Sequence, residues 1–260
     1  MMNKARAGGN GDYEVGSVRK ALEILCEFTV NEPCLSVSEL SRRLGMPKST
    51  AHNLLRTLDG LDFLRQDPAD RRYRLGPRVY ELGLRFSRST QLVSTALPHL
   101  RRLAEETKET VKLALLSCDE ILIVAAVESP HQLHTRGDVG MRAPLHCTGL
   151  GKAILSKLDA DEALGIVARR GLARFTPHTI CDRGQLAREL ERIRADGYTI
   201  DLEENELGVV CVAAAIPVRA DRPVAALSVS GPSSRLDEDD IRNCSRLVLE
   251  TTRAVGRALG

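Results

Sequence analysis

The stretch Pro144-Leu145-His146-Cys147-Thr148-Gly149-Leu150-Gly151-Lys152 is the densest cluster of chemically useful residues in the chain. Its glycines would let backbone amides approach a ligand. A helix starting there would favour an anion at its N-terminus. It is not a nucleotide-binding P-loop, because His146 stands where the first Gly is required and Ala153 where Ser or Thr is required. His146 and Cys147 invite a thiol mechanism, but neighbours on extended backbone point opposite ways and cannot form a nucleophile–base pair. Further on, Asp201-Leu202-Glu203-Glu204-Asn205 ends one β-rich run and Cys211 sits on the next. Ser228 and Ser230 sit two apart on the last run, so alternation puts both on one face. Among Ala225, Ala226, Leu227 and Val229 they read either as a polar pocket wall or as a solvent-facing row. A thiol or metal sensor using Cys147, Cys211 and a His is an alternative, although their spacing fits no standard zinc pattern.

A second group lies near the N-terminus. Lys48, Ser49, Thr50, His52, Asn53 and Arg56 share one side of a helical pattern whose other side is Ala51, Leu54, Leu55 and Leu58. In a major groove, Arg and Lys pair with guanine and Asn with adenine, while hydroxyls and helix N-terminal amides hold phosphates. Arg71, Arg72 and Arg74 follow the turn sequence Pro68-Ala69-Asp70 and suit a phosphate backbone.

The elements that must position these groups follow from periodicity. Ser17 reads as the cap of a first helix with Val18, Ala21, Leu22 and Leu25. Ser36 or Ser38 caps a short second one, and Gly45-Met46-Pro47 breaks it before the helix bearing Lys48. Helix, tight turn, helix and a β-hairpin over residues 65–76 form a winged helix-turn-helix. Pro77 to Ser89 reads as a helix leading out. The remainder alternates strands (Val111 to Leu116, Ile121 to Val127, Tyr198 to Leu202, Val209 to Val218, Pro223 to Ser230) with helices (Leu97 to Thr107, Gly149 to Leu158, Ala160 to Arg170, Gln185 to Asp196, Asp237 to Leu259). That is an α+β pattern around an antiparallel sheet. The expected division is a tail over 1–16, the winged domain over 17–77, a linker helix over 78–95 and a ligand-binding domain over 96–260.

Composition narrows the function. Residues 1–95 hold 15 Lys+Arg against 11 Asp+Glu, and between Arg42 and Arg88 the count is 11 against 5. The basic surplus suits a polyanion for that part. Aromatics are only 3% with no Trp, which disfavours a single-strand binder built on stacking. Seven scattered cysteines suit a reducing cytoplasm better than a disulfide framework. The longest clean apolar run is far short of the roughly 18–20 residues of a membrane span, and no basic-then-apolar leader opens the chain. No G-x-S-x-G, H-E-x-x-H or dinucleotide fingerprint exists, so an enzyme is not expected, nor a cofactor.

From Val15 onward the chain resembles the IclR family of bacterial transcriptional regulators. Carrying the resemblance are Ser17-Val18 with Ala21-Leu22-Glu23-Ile24-Leu25, the run Leu40 to Thr50, and Tyr73-Arg74-Leu75-Gly76. In the second part they are Leu145 to Ala153, Asp201 to Ala213, and Leu227-Ser228-Val229-Ser230-Gly231-Pro232. The resemblance implies a winged helix-turn-helix joined to a GAF-like effector domain. It also implies a homodimer or homotetramer, double-stranded operator DNA as partner, and a small organic acid as effector. Carried over position by position, the effector's amide contacts fall on Gly149 and Leu150, and its polar contacts on Asp201, Cys211, Ser228 and Ser230. Leu150 departs from the smaller Ala common there, which would reshape the pocket floor.

Overall fold

The structure is a computed structural model that describes residues 14–217 and 224–260. The tail read over residues 1–16 lies outside the described residues up to residue 13. Val218 and Pro223, at the ends of two expected strands, also lie outside them. The chain divides into two units, Met1–Ser89 and Thr90–Gly260.

The first unit opens with α1 (Gly16–Cys26), which starts before Ser17; its N-cap is Val15, and no side chain caps it. The next helix, α2 (Val37–Arg43), is too short to persist alone. Its start is held by a capping box: Ser36 Oγ accepts from Glu39 N at 3.2 Å, and Glu39 Oε2 accepts from Ser36 N at 2.7 Å. Gly45, at φ +59°, ends the turn after it, a backbone region that a side chain would strain. Pro47 is the N-cap of α3 (Lys48–Gly60). The antiparallel hairpin of β1 (Leu64–Gln66) and β2 (Tyr73–Leu75) follows. One core binds these pieces, with Ile24, Leu40, Ala51, Leu55, Leu64 and Tyr73 all essentially inaccessible. Each of the buried Ile and Leu side chains among them stabilises by roughly 1.5–3 kcal/mol, which is what fixes α3 with its polar side outward. The next helix, α4 (Pro77–Thr90), buries no residue within the described chain.

The second unit begins with α5 (Leu92–Thr107), which starts at Leu92 rather than Leu97. Pro98 removes one helical hydrogen bond, but Leu92, Ala96, Leu100 and Leu103 are buried along the same helix and outweigh that loss. Gln91, at φ +53°, separates α4 from α5. The segment 78–95 therefore holds parts of two helices and the break between them.

The sheet contains β3 (Thr110–Ser117), β4 (Glu120–Val127), β5 (Arg142–Ala143), β6 (Thr199–Leu202), β7 (Val209–Ala215) and β8 (Ala225–Pro232). Their order is β5-β4-β3-β8-β7-β6, every neighbour antiparallel. Cys118 and Asp119, both at positive φ, make the two-residue turn between β3 and β4. One face packs on α5 and on α9 (Glu238–Leu259) through Val111, Leu113, Val212, Leu227, Val229 and Val248. The other face carries α6 (Gly149–Leu155), α7 (Ala160–Arg170) and α8 (Arg183–Asp196). A bulge in β4, where Leu113 pairs with Ala125 and Ala114 with Ile123, switches the alternation. It turns Ile121 and Ile123 onto the α6 side and Ala125 onto the other.

Candidate functional site

In the first unit, α3 buries Ala51, Leu55 and Leu58 and leaves Lys48, Ser49, His52, Asn53 and Arg56 exposed, with Thr50 half-buried. Among the described residues, no hydrogen bond or ion pair reaches the side chains of Lys48, His52, Asn53 and Arg56. The wing arginines divide. Arg72 donates to Glu39 Oε2 at 2.9 Å and to the Cys34 carbonyl at 3.0 Å, which ties the hairpin to the start of α2. Hydrogen bonds from Ser36, with Arg72 adding its charge, hold Glu39 well below the usual carboxylate range, at about 2. Arg74 pairs with Asp67 across the hairpin. Arg71 sits in the turn at φ +60°, exposed, with no ion pair among the described residues. Of the three arginines read as phosphate contacts, Arg71 alone keeps its guanidinium uncommitted.

In the second unit a cavity of about 620 Å³ opens between the sheet and the start of α6. Sheet register explains which expected residues meet there. Asp201 pairs with Cys211 and Cys211 with Ser230, so three neighbouring strands contribute one polar row. All three line the cavity, with Gly149 and Leu150. Ser228 lies two pairs further along, beside Ala213, and is fully buried rather than lining the cavity. Its hydroxyl makes no hydrogen bond. The Leu150 side chain packs into the α6-side core as well as bordering the cavity.

The close approach of α6 to β7 needs glycine. A Cβ on Gly149 would fall 2.8 Å from Cys211 Sγ, and one on Gly151 2.4 Å from Leu145 backbone atoms. Thr148 caps α6, its Oγ1 accepting from Gly151 N at 3.0 Å and its carbonyl from Lys152 N at 2.9 Å. No bond among the described residues uses the amides of Gly149 and Leu150. Those two donors are the orphans a helix start leaves.

The electrostatics are those of a buried polar wall. Asp201 is 5% exposed and accepts from Glu204 N at 2.7 Å. Burial pushes its carboxyl up to about 7 against that bond. Burial, helped by Asp201, also raises the Cys211 thiol, while the Ser230 hydroxyl opposes the rise. Cys147 is pushed up to about 12, mostly by burial. Protonated thiols are poor nucleophiles and poor metal ligands. His146 turns away, its Nε2 lying 2.9 Å from the Ala173 carbonyl oxygen. Among the described residues no group of three or more His, Cys, Asp or Glu side chains is placed to hold a metal ion.

Sequence reading missed two lysines. Lys152 is fully buried. Its Nζ donates to the Ile200 carbonyl at 2.9 Å and to Glu189 at 3.2 Å and pairs with Glu204. It locks α6 to α8 and β6 and does not line the cavity. Lys112 does line it. The available signal was parity: Thr110 and Lys112 are polar on one face of a strand whose other face is Val111, Leu113 and Leu115.

Comparison with known proteins agrees with this architecture. Residues 17–68 match the IclR helix-turn-helix domain, and residues 85–257 match the bacterial transcriptional regulator IclR C-terminal family. The HTH-type transcriptional repressor AllR of Salmonella typhi is 39% identical over 225 residues, 86% of this chain and 83% of that protein. The crystal structure of the Thermotoga maritima IclR superposes with a TM-score of 0.74 at 32% identity, covering 95% of this chain and 100% of that one. An IclR homologue from Microbacterium hydrocarbonoxydans, complexed with 4-hydroxybenzoate, gives 0.82 at 25%, covering 94% and 98%. No helix among the described residues is long and apolar enough to cross a membrane. With both of its units matched, this chain belongs to the IclR family of bacterial transcriptional regulators, DNA-binding proteins rather than enzymes.

Proposed function

We propose that this chain is a cytoplasmic repressor of a catabolic operon whose grip on double-stranded operator DNA is set by a small organic acid. Residues 17–77 read the operator, 78–95 link, and 96–260 bind the effector. The observation that carries the reading is the cavity: two unused amides, at Gly149 and Leu150, border the same space as a polar row of Asp201, Cys211 and Ser230. An acid's carboxylate takes the amides, and the row reads its other end. Ser228, fully buried, lies behind that row rather than in it. The relatives named as repressors, and the aromatic acid bound by the Microbacterium homologue, support the sign of regulation and the ligand class.

On the DNA side, Lys48, Ser49, His52, Asn53 and Arg56 read the major groove, with Thr50 at the edge of the contact and Arg71 on the backbone. Arg72 and Arg74 hold the wing in shape. A homodimer, or a tetramer built from it, presents two such helices about 34–36 Å apart to a near-palindromic site. The test is operator binding by fluorescence anisotropy, with and without a panel of carboxylic acids, for the wild type, Arg56→Ala and Asp201→Ala. Arg56→Ala loses operator affinity. Asp201→Ala keeps it and loses the acid response. Loss of operator binding in folded Asp201→Ala would sink the division of labour.

A further inference from the structure

We propose that the cavity's ligand carries two anionic groups, a short dicarboxylate or its chemical equivalent, and that Lys112 holds the second of them. The inference rests on the reading of this cavity as an effector site and narrows its ligand class.

Lys112 stands on the α6-side face of β3, in register with Ser228 of β8. It is half-buried and lines the cavity. Neither a hydrogen bond nor an ion pair reaches its ammonium among the described residues. The fold satisfies a lysine when the lysine is structural: Lys152 has two carboxylates and a carbonyl. The other strong cation bordering the cavity, Arg136, already lies 3.7 Å from Asp138. Asp201 does not serve Lys112, because β6 and β3 are three strand spacings apart, about 14 Å at roughly 4.8 Å each. A cation taken partly out of water without a counter-charge is a cost to the folded chain, and an arriving anion removes it.

The two anion-seeking features are also separated. Gly149 sits over Cys211 and Ala213 of β7, whereas Lys112 is two strands away, about 10 Å at the same spacing. A monoacid engages either the amides or the ammonium. A ligand with an anionic group at each end engages both, with Cys211 and Ser230 between. The volume of about 620 Å³ accommodates such a molecule.

The experiment is calorimetric titration of the full chain with matched pairs, butyrate against succinate and pentanoate against glutarate. The wild type, Lys112→Met and Lys112→Arg are compared. The expected result is at least tenfold tighter binding of the diacid in each pair. That ratio falls to near one in Lys112→Met and is retained in Lys112→Arg. The unliganded thermal midpoint of each variant establishes that it is folded, and a merely structural role for Lys112 would shift that midpoint without moving the ratio. Equal binding of mono- and diacids by the wild type overturns the proposal while leaving the acid-effector reading in place. An unchanged diacid preference in folded Lys112→Met also overturns it. Binding of neither class overturns the effector reading and this inference together.

Discussion

At the scale of single residues, Asp201 makes the cavity pH-sensitive. Its carboxyl is buried and its pKa is raised to about 7. A raised carboxyl contributes stability that is fully present below the ordinary value near 4 and is lost as pH rises through 7. On the proposed reading the same proton bears on binding: protonated Asp201 can donate to the ligand's far end, whereas ionised Asp201 adds a negative charge that repels an anionic ligand. Around it stand Lys152 and Glu204, close enough to act on its charge, and the Cys147 and Cys211 thiols, which are protonated across this range. Organic-acid affinity is therefore expected to fall severalfold between pH 6 and pH 8. Asp201→Asn should flatten that profile, which titration calorimetry at both pH values would check. A profile unchanged in the Asn variant would rule Asp201 out as the titrating group. Gly149 gives a second residue-scale prediction. Gly149→Ala drives a methyl to 2.8 Å from Cys211 Sγ and 3.3 Å from the Ala213 Cβ, both on the strand beneath. Overpacking of this kind costs about 1–3 kcal/mol, seen as a lower midpoint in chemical denaturation. Adding Cys211→Ala should recover part of that loss, and no recovery would mean that the contact lies elsewhere.

At the scale of elements, the wing arginines separate a structural role from a contact role. Arg72 holds the hairpin to the cap of α2, so Arg72→Ala should lower stability by about 1 kcal/mol, a figure kept low because the pair is partly exposed. Arg71→Ala should leave the thermal midpoint alone, weaken operator binding across sequences and reduce the salt slope by about 1. A thermal loss in Arg71→Ala with intact DNA binding would reverse the assignment. The hairpin itself was legible, because Pro68-Ala69-Asp70 and the flanking apolar residues are local signals, but the ion pairs were not. Arg72 meets Glu39 across 33 positions of sequence, and nothing local marks either partner. The same holds in the sheet. Alternation correctly put Ser228 and Ser230 on one face, yet only the register and the cover of α6 decide that Ser230 reaches the cavity and Ser228 does not. The start of α5 was missed because Pro98 reads as an early helix position, when tertiary burial carries the helix back through it. The β4 bulge breaks the period-two pattern on which strand reading depends. Lys152, three positions into a glycine-rich turn, looks like a ligand lysine until α8 and β6 are seen to supply its carboxylates.

At the scale of the whole molecule, α4 is the element whose chemistry is unfinished within one chain. It is amphipathic but buries nothing among the described residues, and Tyr80 and Phe86 are 71% and 50% exposed, with Leu82 and Leu84 also exposed. Apolar surface of this size on one helix marks an interaction site rather than scattered exposure. Two-fold symmetry closes such a face against its own copy, with the same residues on both sides. The proposed operator reading needs that pairing, since one recognition helix reaches only one half-site. Leu84→Glu places a charge at the edge of the apolar arc, beside Tyr80, where pairing would bury it without a partner, and a penalty of several kcal/mol is expected for such burial. The free monomer loses nothing, because Leu84 is exposed there. Sedimentation should therefore find the wild type as a dimer or tetramer and Leu84→Glu as a monomer with an unchanged circular-dichroism spectrum. Operator affinity should fall by more than tenfold in the variant, because the two half-sites then bind independently. Binding to a single isolated half-site should stay close to that of one wild-type domain. A Leu84→Glu chain that still assembles and still binds the full operator tightly would move the dimer contact off α4, and the operator reading would then need another face to bring the two recognition helices together.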